Sequence, residues 1–172
     1  MPLAETYLAE FEHESQTTRR FLERLPQDKL TWKPHEQSMT AGQLALHIAM
    51  SPAGVVTIAE LDEFPVPDFQ RPNPQPESVQ QILDTFESSC VIVREKLPKF
   101  SDERMQAIWR MTKAGRDLLA IPRAMMLRTI LLNHIYHHRG QFGVYLRLLG
   151  AKVPASYGPS GDEVPDFVKD AA

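Results

Sequence analysis

The sequence predicts an all-α protein: a four-helix bundle with a short hairpin before the last helix and an irregular C-terminal tail. Four long segments repeat apolar residues at the helical period, and little strand signal remains between them. Capping and stopping residues stand at the ends of those segments. At 172 residues, the chain suits one domain with a sizeable core, spanning residues 1–172.

The first helix runs from about Leu3 to Leu25, with Leu3, Tyr7, Phe11, Thr18, Leu22 and Leu25 on one face and Pro26 after it. The second opens at Thr40. Thr40 and Gln43 have the spacing of a capping box, which satisfies two otherwise orphan amides. It continues through Leu44, Ile48, Val55 and Ile58 to about Asp62, with a kink or restart at Ser51-Pro52. Between Phe64 and Glu77 stand Pro65, Pro67, Pro72, Pro74 and Pro76, which exclude helix and central strand and leave a semi-rigid connector. The third helix opens at Ser78, shows Val79, Ile82, Leu83, Phe86, Val93 and Leu97 as its stripe, and ends at Pro98. From Phe100 to Ile121, Trp109 and Met111 alternate with polar residues around a turn at Lys113-Ala114-Gly115, which suits a short hairpin. The fourth helix starts with Pro122 as its first residue and runs to Leu149, with Gly150 as the stop. The tail after Gly150 is rich in turn formers.

Composition excludes several classes. A net charge of -3 is a poor basis for holding nucleic-acid phosphates. The single cysteine, Cys90, rules out a disulfide framework and a Cys-built zinc site, and it fits a reducing cytoplasm. No apolar run approaches the ~18 residues of a membrane span, and MPLAETYLAEFEHE does not read as a signal peptide. Glu10 and His13 give one Glu-x-x-His, but a di-iron bundle needs two. His13 and His35 read as solvated, Cys90 as a small packed residue, Trp32 and Trp109 as packing anchors, and Met125-Met126 as core.

The remaining histidines carry the chemistry. On a wheel of about 100° per residue with His134 at zero, His138 lies near 40°, among Leu127, Leu131 and Tyr145. His137 lies near -60°, on the shoulder of that stripe. Two imidazoles at i and i+4 facing a core need partners. One solution is a shared ion such as zinc, nickel, copper or iron; the other is hydrogen bonding to backbone or carboxylate. His47, near the apolar face of the second helix, is the candidate third ligand. Gln141, near -20°, is placed to support a ligand from behind as a hydrogen-bond donor, or else packs as a polar residue between helices. Arg139, near 140°, points away and would hold a loop, the tail or a partner subunit, while Gly140 would allow a close helix approach.

Four stretches share a pattern in order along nearly the whole chain. They are Trp32-Lys33-Pro34 followed by A-G-Q-L-A-L-H-I-A with His47, N-H-I-Y-H-H-R-G-Q-F from Asn133 to Phe142, L-R-L-L-G after it, and V-P-A-S-Y-G-P-S-G-D-E from Val153 to Glu163. In these the chain resembles the DinB/YfiT-like family of damage-inducible four-helix bundles. The resemblance implies a divalent-metal site of His47, His134 and His138 and a homodimer; imidazole ligands favour zinc or nickel as the ion. The resemblance also implies chemistry of the kind some members carry out, thiol transfer from a low-molecular-weight thiol to a small electrophile or mycothiol-dependent isomerisation, with no nucleic-acid or membrane contact.

Three neutral imidazoles would leave an ion its full charge and at least one open position, which suits thiol transfer or hydrolysis. The alternative is a non-catalytic protein in which the ion staples the bundle. A fourth protein ligand would favour the staple. Protonated histidine cannot ligate, so the sequence places the pH limit of metal binding near the ordinary imidazole range of ~6.5.

Overall fold

The computed structural model describes residues 1–66, 73–165 and 168. The chain is mostly helical. Helix α1 spans Leu3–Leu22, α2 Ala41–Ile58 and α3 Val79–Lys96. A last long helical segment joins α5 (Arg123–Met126), a π-helical stretch (Leu127–Asn133) and α6 (His134–Leu148). Helix α2 packs against α3 and α6, and α1 packs against the same two. A short α4 (Asp102–Gln106) is capped by Ser101, whose side chain accepts from the Arg104 amide.

The all-α expectation is corrected by a three-stranded sheet. Strand β2 (Ile108–Lys113) pairs antiparallel with β3 (Arg116–Pro122) as the expected hairpin, turning at Ala114-Gly115, where both φ angles are positive. Strand β1 (Glu63–Pro65) pairs parallel with β2 and was not expected. It is an edge strand, so Pro65 removes no ladder bond that the sheet needs. Pro67 and Pro72 lie outside the described residues, as do most positions after Pro165.

The caps behave as their chemistry requires. Thr40 Oγ1 accepts from the Gln43 amide at 3.1 Å, and Gln43 Oε1 accepts from the Thr40 amide at 3.0 Å. Ser78 accepts from the Gln81 amide, but Gln81 reaches back to Glu77 rather than to Ser78. Pro52 sits inside α2, which runs through it and ends at Ile58, short of Asp62. The C-terminal end of α2 is held by Arg123, which is fully buried and donates to the carbonyls of Ala59 (2.7 Å) and Leu61 (3.0 Å) and to Asp62. A guanidinium there satisfies carbonyls that the helix itself leaves orphaned. Pro122 is the N-cap of α5 rather than its first residue. Gly150, with φ of 73°, ends α6 as expected.

Helix α2 is long and apolar enough, by length and composition alone, to cross a bilayer. Gln43, His47, Ser51 and Thr57 interrupt it, so it is not a continuous apolar run of the kind the sequence lacks. More than half of α2 is nevertheless buried inside the protein, so its apolarity is used in the core.

The π-helical stretch changes which side chains face that core. With bonds from i to i+5, each residue turns the chain by roughly 80° instead of 100°. Seven such residues set α6 back by on the order of 120° relative to a plain α-helix. On an unbroken α wheel, buried Arg123, Ala124, Met126 and Leu127 centre near 0°, whereas buried Ile135, Arg139, Phe142, Tyr145 and Leu146 centre at about 95°. The π stretch cancels that difference and brings both sets onto one core-facing side. Two placements from the unbroken wheel are corrected accordingly. His134 and His138 sit on the rim of the buried face, half-buried, rather than in its middle. Arg139 does not point outward but is 2% exposed. It does hold the tail, donating to the Tyr157 hydroxyl at 2.7 Å, and it pairs with Glu14 of α1 at 2.6 Å.

Candidate metal centre

Three imidazoles converge between α2 and α6. His47 follows two turns after the Thr40 cap, and its carbonyl accepts from Ser51 Oγ at 2.6 Å. His134 is the first residue of α6, directly after the π stretch, and His138 lies one turn on. His134 Nε2 lies 3.2 Å from His47 Nε2 and 3.1 Å from His138 Nε2. The three rings stand nearly perpendicular to one another, with interplanar angles of 72°, 85° and 85°. Among the described residues this is a group that could hold a metal ion, and it contains no Cys, Asp or Glu.

The donor set fits a divalent transition metal. Nitrogen donors at ~2.0–2.1 Å from a tetrahedral centre stand about 3.3–3.4 Å apart, and slightly closer around an octahedral one. The observed 3.1 and 3.2 Å fall between those two spacings. The set is all imidazole, the ligand type that zinc, nickel, copper and iron accept. His138 Nδ1 lies 2.9 Å from Gln141 Oε1, an acceptor, so His138 carries its proton on Nδ1 and presents a bare Nε2 to the group. Gln141 therefore stands behind His138, but as an acceptor. His134 Nδ1 is buried with no hydrogen-bond partner.

The other sequence candidates stay apart. His137 is exposed, its ring 4.7 Å from that of His138 but outside the group. His13 and His35 are exposed. Cys90 is buried, and burial pushes its thiol up to about 12, which removes it as a nucleophile. Trp109 is buried with its indole N–H on the Ile58 carbonyl, and Trp32 packs edge-on to Tyr145. Among the described residues nothing lies within 4 Å of where a Cβ on Gly140 would stand, so the close helix approach expected there is not seen among them. The π stretch left no composition signal, and the rim position of the histidines was therefore not readable from the wheel.

Burial lowers His47 and His134 from the ordinary imidazole value to about 4, reinforced by the neighbouring His138. Burial also lowers His138, against the opposing pull of the Gln141 hydrogen bond. Protons therefore compete with a metal at a lower pH than the ~6.5 of a free imidazole. The same shift sets a stability trend for the metal-free protein. Between about pH 6.5 and about 4 the unfolded chain takes up protons that the folded site resists. Stability is full above that window and falls as pH drops through it. Melting temperature followed from neutral pH to pH ~5 should decline, and the His47→Gln/His134→Gln double variant should decline less. Parallel profiles for the two proteins would contradict these shifts.

Known proteins share this arrangement of the chain. A DinB-like protein from Bacillus cereus ATCC 10987 has a solved structure that superposes with a TM-score of 0.71 at 26% identity, over 89% of this chain and 97% of that one. A second, the DinB-like protein YjoA from Bacillus subtilis, gives 0.68 at 20% identity over 88% and 96%, a likeness of fold. The uncharacterized protein YrdA of Bacillus subtilis (strain 168) is 28% identical over 163 residues, 94% of this chain and 92% of its own length. The sequence profile of the DinB family matches residues 1–165, which include all three converging histidines. With the profile spanning almost every residue and the solved relatives sharing the fold, the chain belongs to the DinB family.

Proposed function

We propose that His47, His134 and His138 bind one divalent ion, zinc or nickel, and that the protein is a metal-dependent enzyme of the thiol-transferase or hydrolase type. The four long helical segments act as one bundle around this site. The observation that carries the reading is the convergence of three half-buried imidazoles with no fourth side-chain ligand among the described residues. A divalent ion there supplies positive charge that favours the nucleophilic form of a thiol or of water. The chain's own residues do the rest. Gln141 fixes the His138 tautomer, and the rim position keeps the site reachable from solvent. Cys90 is too deeply buried to act, so the thiol comes from outside as a low-molecular-weight compound.

The test is metal analysis of protein purified without a nickel column, followed by turnover of a small electrophile with a series of thiols. About one ion per chain and thiol consumption that disappears in the His134→Ala protein are expected. Absence of metal, with no uptake on titration, would end the reading. A staple role is favoured by one fact: the ligands come from helices 87 residues apart in sequence, so an ion would tie α2 to α6. A large rise in melting temperature on zinc loading without any turnover would select it.

The protein is further proposed to be a homodimer. Val144 and Leu148 are 59% and 61% exposed on the outer side of α6, next to the open space at Gly140. Sedimentation at micromolar concentration should show twice the 19.6 kDa chain mass, and a strict monomer would remove the claim.

A further inference from the structure

We propose a second binding site on the opposite side of α6 from the three histidines: a cleft between α6, α1 and the C-terminal tail that takes a small organic anion, a carboxylate on an apolar body. It needs no metal at the histidines. Gly140 and the tail from Val153 to Ser160, which stand out in the sequence and have no part in holding a metal, build it. Its volume of about 400 Å³ lies within the ~300–1,000 Å³ of small-molecule sites. On α6 it is lined by Gly140, Gly143, Val144 and Arg147, which centre about 150° around the helix from His134 and His138. Phe21 of α1 and Val153, Pro154 and Pro159 of the tail add apolar surface. The space comes from a missing side chain. Among the described residues nothing lies within 4 Å of a Cβ built on Gly140, whereas one on Gly143 would meet the Phe21 ring at 3.2 Å.

The tail side of the cleft is preformed. Ser160 Oγ donates to the Val153 carbonyl at 2.6 Å and accepts from the Glu163 amide at 3.1 Å. Asp162 Oδ2 accepts from the Val153 amide at 2.9 Å, and Glu163 Oε2 accepts from the Ala155 amide at 3.2 Å. Arg20 ties the same stretch to α1 by donating to the Ala155 carbonyl at 2.7 Å. Both carboxylates of the loop are therefore committed to its own amides and to arginines. A wall already held in place costs a ligand little ordering.

The groups left over set the ligand. The Ser156 hydroxyl lines the cleft and has no hydrogen-bond partner among the described residues. Arg147 gives only Nη2 to the loop, to the Ser160 carbonyl at 3.0 Å and to Asp162 at 2.6 Å, which leaves Nε and Nη1 as donors without a partner among the described residues. Around the tail, Arg20, Arg24, Arg147 and Lys152 outnumber Asp162 and Glu163, so the local field favours an anion. No Asp or Glu lines the cleft to attract a cation. An anion with an apolar body meets donors at one end and Phe21, Val144 and the prolines along the rest.

Benzoate, phenylacetate and hexanoate, each beside its primary amide, can be titrated into the nitrogen-15-labelled full chain. Saturable shifts of the Gly140, Gly143 and Gly158 amide signals are expected with at least one carboxylate, and its amide should bind about tenfold more weakly. Gly140→Leu sends a side chain into the open space and removes a glycine from a helix interior. It should keep or raise the melting temperature and abolish the shifts at Gly143 and Gly158. Arg147→Gln should weaken the carboxylate about tenfold and leave its amide unchanged. Shifts that never saturate, amides that bind as tightly as the acids, or binding that survives Gly140→Leu would each overturn the site. Sedimentation of the same variant separates a ligand from a second copy. A parent dimer that Gly140→Leu splits, with none of the probes binding the parent, would give the cleft to the partner chain and overturn the proposal as well.

Discussion

Replacing His47, His134 or His138 with alanine is expected to abolish firm metal binding, while His137→Ala leaves it nearly intact. Each of the first three supplies one of only three converging nitrogens, and two imidazoles are too few to hold an ion against water. His137 touches the group only through the neighbouring His138 ring. Gln141→Ala should fall between, weakening affinity by about 10–100-fold, because it frees the His138 tautomer without removing a donor. Competition with a chromophoric chelator measures all five variants on one scale. A His137→Ala protein that loses its ion while His138→Ala keeps it would reverse the assignment.

Arg139→Met should be the most damaging single change outside the histidines, at about 3–5 kcal/mol of stability. Its guanidinium is 3% exposed and pairs with a Glu14 carboxylate that is 9% exposed. It also donates to Thr18 Oγ1, to the Glu14 carbonyl and to the Tyr157 hydroxyl, between the rings of Tyr136 and Tyr157. Removing it leaves a buried carboxylate without its cationic partner and cuts one tie between α6 and the tail, while Arg147 keeps its own to Ser160 and Asp162. The melting temperature should drop by on the order of 10 °C for a chain of this size. Adding Glu14→Leu should restore much of the loss, since replacing both charges by apolar groups is far cheaper than stranding one. A single variant that melts like the parent, or a double variant no better than the single, would contradict this reading of the pair.

Much of the site was legible because it depends on local rules. Thr40 and Gln43 announce the start of α2, and that start fixes where His47 emerges. The i,i+4 spacing of His134 and His138 brings their rings together whatever the helix does upstream. The orientation of α6 was not legible, because it depends on seven residues with i→i+5 bonds that no residue type announces. That one defect misplaced Arg139 as outward and the histidines as central. Strand β1 escaped for a different reason. Glu63–Pro65 is three residues long, ends in proline and forms only because β2 lies beside it, a tertiary pairing that a local pattern does not carry.

The most direct test is an anomalous difference map from crystals of zinc-loaded protein, collected on both sides of the zinc edge. One strong peak should appear within ~2.0–2.2 Å of the Nε2 atoms of His47, His134 and His138. A peak elsewhere, or the same peak persisting in His134→Ala crystals, would contradict the assignment of these three side chains as the metal ligands.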